Sequence, residues 1–229
     1  DERETLDTRL NVFAEFSPEL DEKQRGAEYL FLANIDPSLQ LEVLGQMKER
    51  PSLVGLDSMN FWIDGKRPEL DQIIKAVDVV FMDEGEVRSY ADEHNLIRAA
   101  RHIHDAGPEI VVIKRGEHGV FVSNGTHLFS TPAFALEKVV DPTGAGDAFA
   151  GGFMGLLAAT RDLSERGIRR AAVLGTIMGS FTVEDFSANR LASLTREDIT
   201  KRLETFVKLT QVEPFQNYES LPWRELHIL

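Results

Sequence analysis

Four short apolar runs, the first three followed by stretches of helical character and the fourth by a hairpin pattern, constrain this chain more than any other feature. They are Tyr29-Leu30-Phe31-Leu32-Ala33-Asn34, Leu53-Val54-Gly55-Leu56-Asp57, Val77-Asp78-Val79-Val80-Phe81-Met82 and Ile110-Val111-Val112-Ile113-Lys114. Runs of this length with little alternation read as parallel strands buried on both faces. The spacing predicts helices over residues 38–49 (opened by Pro37), 68–75, 84–92 and 96–105. Val120-Phe121-Val122 and His127-Leu128-Phe129 flank Asn124-Gly125, a strong hairpin signal. Three helices are expected after that, over residues 145–160, 164–183 and 195–207, the last with Thr195 as its cap. Strands alternating with helices define an α/β protein, doubly wound, with a mainly parallel central sheet flanked by helices. The expected organisation is one domain over residues 1–213 and a peripheral C-terminal tail over 214–229 that holds Trp223.

In such a sheet, ligands collect beyond the C-terminal ends of the strands. Polar residues occupy those ends: Asn34-Ile35-Asp36, Asp57-Ser58-Met59-Asn60, Asp83-Glu84-Gly85-Glu86 and Lys114-Arg115-Gly116-Glu117-His118-Gly119. Their alignment at one edge predicts a single active site, with Asp57 facing the cleft. Phe61 and Trp62 read as packing residues. The six histidines are scattered, with no zinc spacing and no catalytic triad.

The chemistry concentrates in Val140-Asp141-Pro142-Thr143-Gly144-Ala145-Gly146-Asp147-Ala148-Phe149-Ala150-Gly151-Gly152. Gly144, Ala145 and Gly146 leave their backbone N–H groups unobstructed at the start of a helix with almost no charge. Those amides and the helix dipole form an anion site. Asp147 sits in that positive field, placed to take a proton from a hydroxyl beside a phosphate. The plain alternative is a tight turn that needs glycine. No Gly-Lys-Ser/Thr of a Walker loop is present, and Gly144 and Gly146 are followed next by Gly151, which breaks the dinucleotide fingerprint. The arrangement points to phosphoryl transfer to an alcohol.

Other candidates have plain readings beside the functional ones. Asp83 and Glu86 suit any helix N-terminus. The Lys114-Arg115-Gly116-x-x-Gly119 stretch suits an ordinary turn between strands. Asp141 and Thr143 suit a turn with side-chain bonds to backbone.

Composition narrows the partners. With 38 acids against 25 bases, the formal charge is −13, which disfavours nucleic acid and anionic membrane. There is no cysteine, hence no disulfide or thiolate metal site. Charge interrupts every apolar run well before a membrane span, and no signal-peptide pattern is present, so a cytoplasmic protein is the default.

Asp-Pro-Thr-Gly-Ala-Gly-Asp-Ala-Phe, followed by Gly-Gly-Phe, resembles the C-terminal signature of the ribokinase (PfkB) family of sugar and nucleoside kinases. The likeness extends, more weakly, from about Tyr29 to Phe206. It implies a ribokinase-like fold and ATP-dependent phosphorylation of a hydroxymethyl group on a sugar or sugar-like molecule, with a nucleoside as the alternative acceptor. It makes Asp147 the catalytic base and the amides of Gly144, Ala145 and Gly146 the anion hole. Asp83-x-x-Glu86 is similar to the family's Asn-x-x-Glu, which organises Mg²⁺ and its waters, with Asp83 standing where Asn is usual. Lys114, Gly116 and Gly119 fall in the nucleotide-side loop, Lys114 toward the triphosphate and Thr143 in the loop that precedes the anion hole. Asp141 and Thr143 match a loop that in many relatives binds a monovalent cation such as K⁺, together with a segment near residues 183–187. Apolar groups near the purine are expected from the helix over 171–183. Family members also begin with a strand and carry an early Gly-Gly-x-x-Asn, neither seen here. The highly charged opening lacks Met, so the small β lid, most acceptor contacts and the surface through which relatives form homodimers are expected to be missing. A non-catalytic nucleotide-binding or regulatory protein of the same fold is the rival expectation.

Overall fold

Each apolar run becomes a strand in the computed structural model, which describes residues 15–212. The strands are β1 (Tyr29–Leu32), β2 (Leu53–Asp57), β3 (Val79–Asp83) and β4 (Ile110–Lys114), and the hairpin is β5 (Val120–Ser123) and β6 (Leu128–Thr131). The helices are α1 (Pro37–Gln46), α2 (Asn60–Gly65), α3 (Arg67–Ala76), α4 (Glu84–Ala91), α5 (Leu96–Ala106), α6 (Ala145–Thr160), α7 (Glu165–Thr182), α8 (Asn189–Ala192) and α9 (Arg196–Thr210). The expected tail over 214–229 and the charged opening lie outside the described residues. Among the described residues no helix is long and apolar enough to cross a membrane.

Local chemistry sets the helix starts. Asp36 accepts from Ser38 N–H at 2.9 Å before Pro37, where the missing proline N–H costs nothing. Asn95 accepts from both Ile97 and Arg98 N–H at 3.1 Å to open α5. Thr195 and Asp198 form the reciprocal cap of α9. Two short helices, α2 and α8, were not expected from the sequence. Neither is long enough for a periodic apolar face, and both form because neighbouring elements hold them. Trp62 on α2 is buried and donates from Nε1 to Asn34 Oδ1 at 2.9 Å, while Phe61 stays 38% exposed.

The six strands form one sheet in the order β1-β2-β3-β4-β5-β6. β1 to β4 pair parallel, and β5 and β6 are added antiparallel. Every parallel crossover advances the sheet in one direction, so right-handed connections put α1 to α5 on one face. Period-two alternation shows this partition: Val54, Leu56, Val80, Met82, Val111 and Ile113 pack with α2 to α5, with α1 against their edge. Leu53, Val79, Phe81, Ile110 and Val112 pack with α6 and α7 on the other face. Helices therefore flank the sheet on both sides, as expected. The second layer comes from α6 and α7, which follow the strands, and no reversal of strand order occurs among the described residues.

α6 lies close against the sheet because β2 makes room for it. A Cβ on Gly55 would come within 2.9 Å of Met154 Sδ. Phe81 meets Phe153 edge-on with centroids 5.3 Å apart. α6 and α7 approach through glycines, a Cβ on Gly152 falling 3.1 Å from Gly175 Cα. This packing points the first turn of α6 over the C-terminal ends of β2, β3 and β4.

Candidate active site

Two sequence parities converge on that helix start. On β2, Leu53, Gly55 and Asp57 face α6, and on β4 so do Ile110, Val112 and Lys114. The last residue of each strand is polar, so the pattern delivers one carboxylate and one ammonium to the same place. Lys114 Nζ donates to Asp57 Oδ2 at 2.7 Å and to Oδ1 at 3.0 Å. Asp57 Oδ1 also accepts from Ser58 N–H at 2.9 Å. The Asp57 side chain is only 4% exposed, and Lys114 is 19% exposed. Burial pushes the Asp57 carboxyl up from its ordinary value, Lys114 and the Ser58 amide oppose the shift, and the charge of Asp147 adds to it. Gln40, fully enclosed, donates to Ala33 O at 2.9 Å and Asp57 O at 3.1 Å, which ties the ends of β1 and β2 together.

At the glycine-rich turn, Gly144 adopts φ 81° as the residue before α6. Of the three amides expected to form the anion hole, that of Ala145 donates to Pro142 O at 3.3 Å and is used inside the turn. This corrects the expectation in part. The amides of Gly144 and Gly146 make no bond among the described residues, and that of Asp147 joins them. The Asp147 side chain is exposed to solvent in the first helical turn, not turned inward. The Lys114 ammonium lies 3.2 Å from the position of a Cβ on Gly146. Only glycine accommodates the ammonium there without displacing it.

Asp141 Oδ1 accepts from Thr143 N–H at 3.0 Å, the side-chain turn that its position suggested. The Val140 and Asp141 amides donate to Val183 O at 2.8 and 3.4 Å. The loop before α6 is thereby joined to the end of α7.

Asp83 and Glu86 take up the plain structural use. Glu86 N–H donates to Asp83 Oδ1 and Asp83 N–H to Glu86 Oε2, both at 2.7 Å, forming a reciprocal cap on α4. Glu86 is buried, and burial followed by the Asp83 charge raises its carboxyl from 4.5 to about 7. A raised acid pKa means that the folded chain binds more protons than the unfolded one between those values. Stability therefore falls as pH rises from about 4.5 to 7 and stays lower above. Glu86→Gln keeps an oxygen for Asp83 N–H and removes the charge. It should raise stability by about 1–3 kcal/mol at pH 8, roughly 3–8 °C in Tm, and change little at pH 4.5. Thermal melts of both proteins at the two pH values check this, and equal gains at both would refute it.

The nucleotide-side candidates divide. Lys114 reaches α6, as described. Gly116 has φ 54° with open space beside it. Gly119 has an internal use: at φ 84°, its Cβ would meet Thr131 O at 2.1 Å, so the turn from β4 to β5 passes against the end of β6. His102 and His104 bond backbone oxygens of Ala91 and Pro108, uses within the fold. Sequence reasoning missed the Asp57–Lys114 pair and the Asp147 amide. Strand parity was the signal for the first, since Asp57 and Lys114 each end a run at an even step, four residues, from its first α6-facing residue, Leu53 or Ile110.

A mainly parallel sheet flanked by helices, whose strand ends bring acids and one ammonium toward a helix N-terminus, defines an α/β protein with its polar groups gathered at one sheet edge. Residues 31–194 match the pfkB family of carbohydrate kinases, and the chain belongs to that family. It is 34% identical over 149 residues to the cytidine kinase of Thermococcus kodakarensis, a match that covers 64% of this chain and 53% of that protein. Among solved structures, the nucleoside kinase of Methanocaldococcus jannaschii superposes with TM-score 0.65 at 21% identity, over 85% of this chain and 60% of that one. The fructokinase of Vibrio cholerae, in its form with fructose, ADP and calcium, superposes with TM-score 0.67 at 23% identity, over 82% and 63%. The chain thus spans about half the length of the cytidine kinase, 53%. The two structural likenesses establish the shared fold.

Proposed function

We propose that this chain is the catalytic portion of an ATP-dependent kinase acting on a hydroxyl of a sugar or nucleoside. The observation that carries the reading is the pairing of an exposed Asp147 with unbonded amides of Gly146 and Asp147 on the same helical turn. The carboxylate of Asp147 takes the hydroxyl proton as the acceptor oxygen bonds to the terminal phosphorus. The bond from that phosphorus to the bridging oxygen of ADP breaks, and ADP leaves. The amides and the Lys114 ammonium face the charge that develops on the transferred group.

Among the described residues, no three His, Asp or Glu side chains are grouped to hold a metal by themselves. Asp83 and Glu86 fit an ion that keeps its waters and is held chiefly by phosphates. When bound, Mg²⁺ would neutralise the phosphate oxygens, and Glu86 would order its waters. The Asp141 and Val183 carbonyl region is the proposed place for a monovalent cation such as K⁺.

A nucleoside acceptor is favoured over a free sugar by the cytidine kinase match, the most identical of the three likenesses described above, at 34%. Incubation with Mg·ATP and a panel of pentoses, hexoses and nucleosides, read as ADP release, tests the proposal. Acceptor-dependent ADP supports it. ATP binding without turnover on any acceptor would favour the non-catalytic, nucleotide-binding alternative.

A further inference from the structure

The Asp57–Lys114 pair does not explain itself as a stabilising device. A buried ion pair recovers little beyond the cost of desolvating it, and two apolar side chains would serve the core as well. Its geometry shows another use. A lysine ammonium has three donors. Two go to the oxygens of Asp57, and the third finds no acceptor among the described residues. The Lys114 Nζ lies 3.2 Å from the position of a Cβ on Gly146, beside the first turn of α6, where the Gly146 and Asp147 amides are also unbonded. Asp57 is held rigidly for this task by Ser58 N–H and by the Gln40 bond to its own carbonyl.

We propose that Asp57 is a positioning residue: its two oxygens accept hydrogen bonds from the Lys114 ammonium and leave the remaining donor for the anion received by the first turn of α6. The proposal rests on the kinase reading above. It makes Asp57 act only through Lys114, on the developing charge of the transferred phosphoryl group and not on nucleotide binding as such. Pre-organised donors of this kind matter most in the transition state.

The test compares Asp57→Asn, Lys114→Met, the double variant and Asp147→Asn in the full chain. Asn at 57 keeps the acceptor for Ser58 N–H. The expected result is a fall in kcat of about 10–100-fold for Asp57→Asn, with KM for Mg·ATP within about 3-fold. In the Lys114→Met background the same change should alter kcat by less than about 2-fold, because its partner is gone. Lys114→Met alone leaves a buried carboxylate without its counter-ion and can lose its fold, so a second readout is the ¹⁵N ammonium resonance of Lys114. That resonance should be present in the wild type, move on addition of Mg·ATP, and be lost in Asp57→Asn. Wild-type kcat in Asp57→Asn, additive losses in the double variant, or a resonance indifferent to Mg·ATP overturns the proposal. Undiminished turnover in Asp147→Asn would instead remove the kinase mechanism while the ammonium response stayed intact. If the wild-type chain gives no turnover, the resonance decides alone.

Discussion

Asp147→Asn is expected to lower kcat by about 10²–10⁴-fold while leaving Mg·ATP affinity within a few-fold. The change removes the proposed proton acceptor and almost nothing else. Asp147 is exposed in the first turn of α6 and accepts no hydrogen bond from a neighbouring side chain among the described residues. Losing a negative charge at a helix N-terminus costs about 0.3–1 kcal/mol at such a site, too little to unfold the chain. The loss should therefore appear in kcat and in kcat/KM alike, the signature of an interaction made in the transition state. Parallel ADP-release kinetics and calorimetric titration with Mg·ATP check it. Equal turnover by both proteins would eliminate Asp147 as the base.

Gly119→Ala should be the most damaging single-methyl change in the sheet. Gly119 combines φ 84° with ψ −137°, a region that only glycine occupies at low cost. The added Cβ would lie 2.1 Å from Thr131 O, 2.6 Å from Pro132 C and 2.7 Å from Ala133 N. All three are backbone atoms, and Thr131 is held in register with Val120. No side chain can rotate away to relieve the clash. A loss of about 3–5 kcal/mol is expected, or roughly 10 °C in Tm. Gly116→Ala is the control: it shares a positive φ, 54°, but meets nothing within 4 Å, so it should cost only about 1–2 kcal/mol. Thermal denaturation of the two variants separates steric clash from backbone strain, and equal shifts would show that the β4–β5 turn does not approach β6 as described.

Elements marked by an uninterrupted apolar or nearly uncharged stretch were legible to the residue. β2 and β4 run over the apolar stretches read from the sequence, and α6 starts and ends where its lack of charge suggested. The Asn124-Gly125 turn closes as expected, with Asn124 Oδ1 accepting from Thr126 and His127 N–H and Gly125 at φ 81°. β3 begins later than its apolar run, because Asp78 is drawn out to accept from Val54 N–H at 2.7 Å and to pair with Arg50. α2 was missed because its six residues carry no periodic signal, and its helicity depends on Trp62 being buried beneath it.

The site was legible in part for the same reason. Asp147, Gly144 and Gly146 announce themselves by local chemistry, since a glycine-opened helix start and an acid in its first turn need only neighbours in sequence. Ala145 looked equivalent to them until the turn folded back and gave its amide to Pro142 O. Asp83 and Glu86 share a spacing that serves both a cap and a metal's water shell, and the cap is what forms.

Local sequence thus determined β2 and β4, the starts of the longer helices and the acid at the head of α6, because each depends on residues within a turn or two of one another. Tertiary structure alone decided that both helical layers would form without reversing the strand order. It also brought together Lys114 and Asp57, 57 residues apart. Contacts of that range depend on which strand lies beside which and on where α6 settles across them, and no short stretch of chain encodes either.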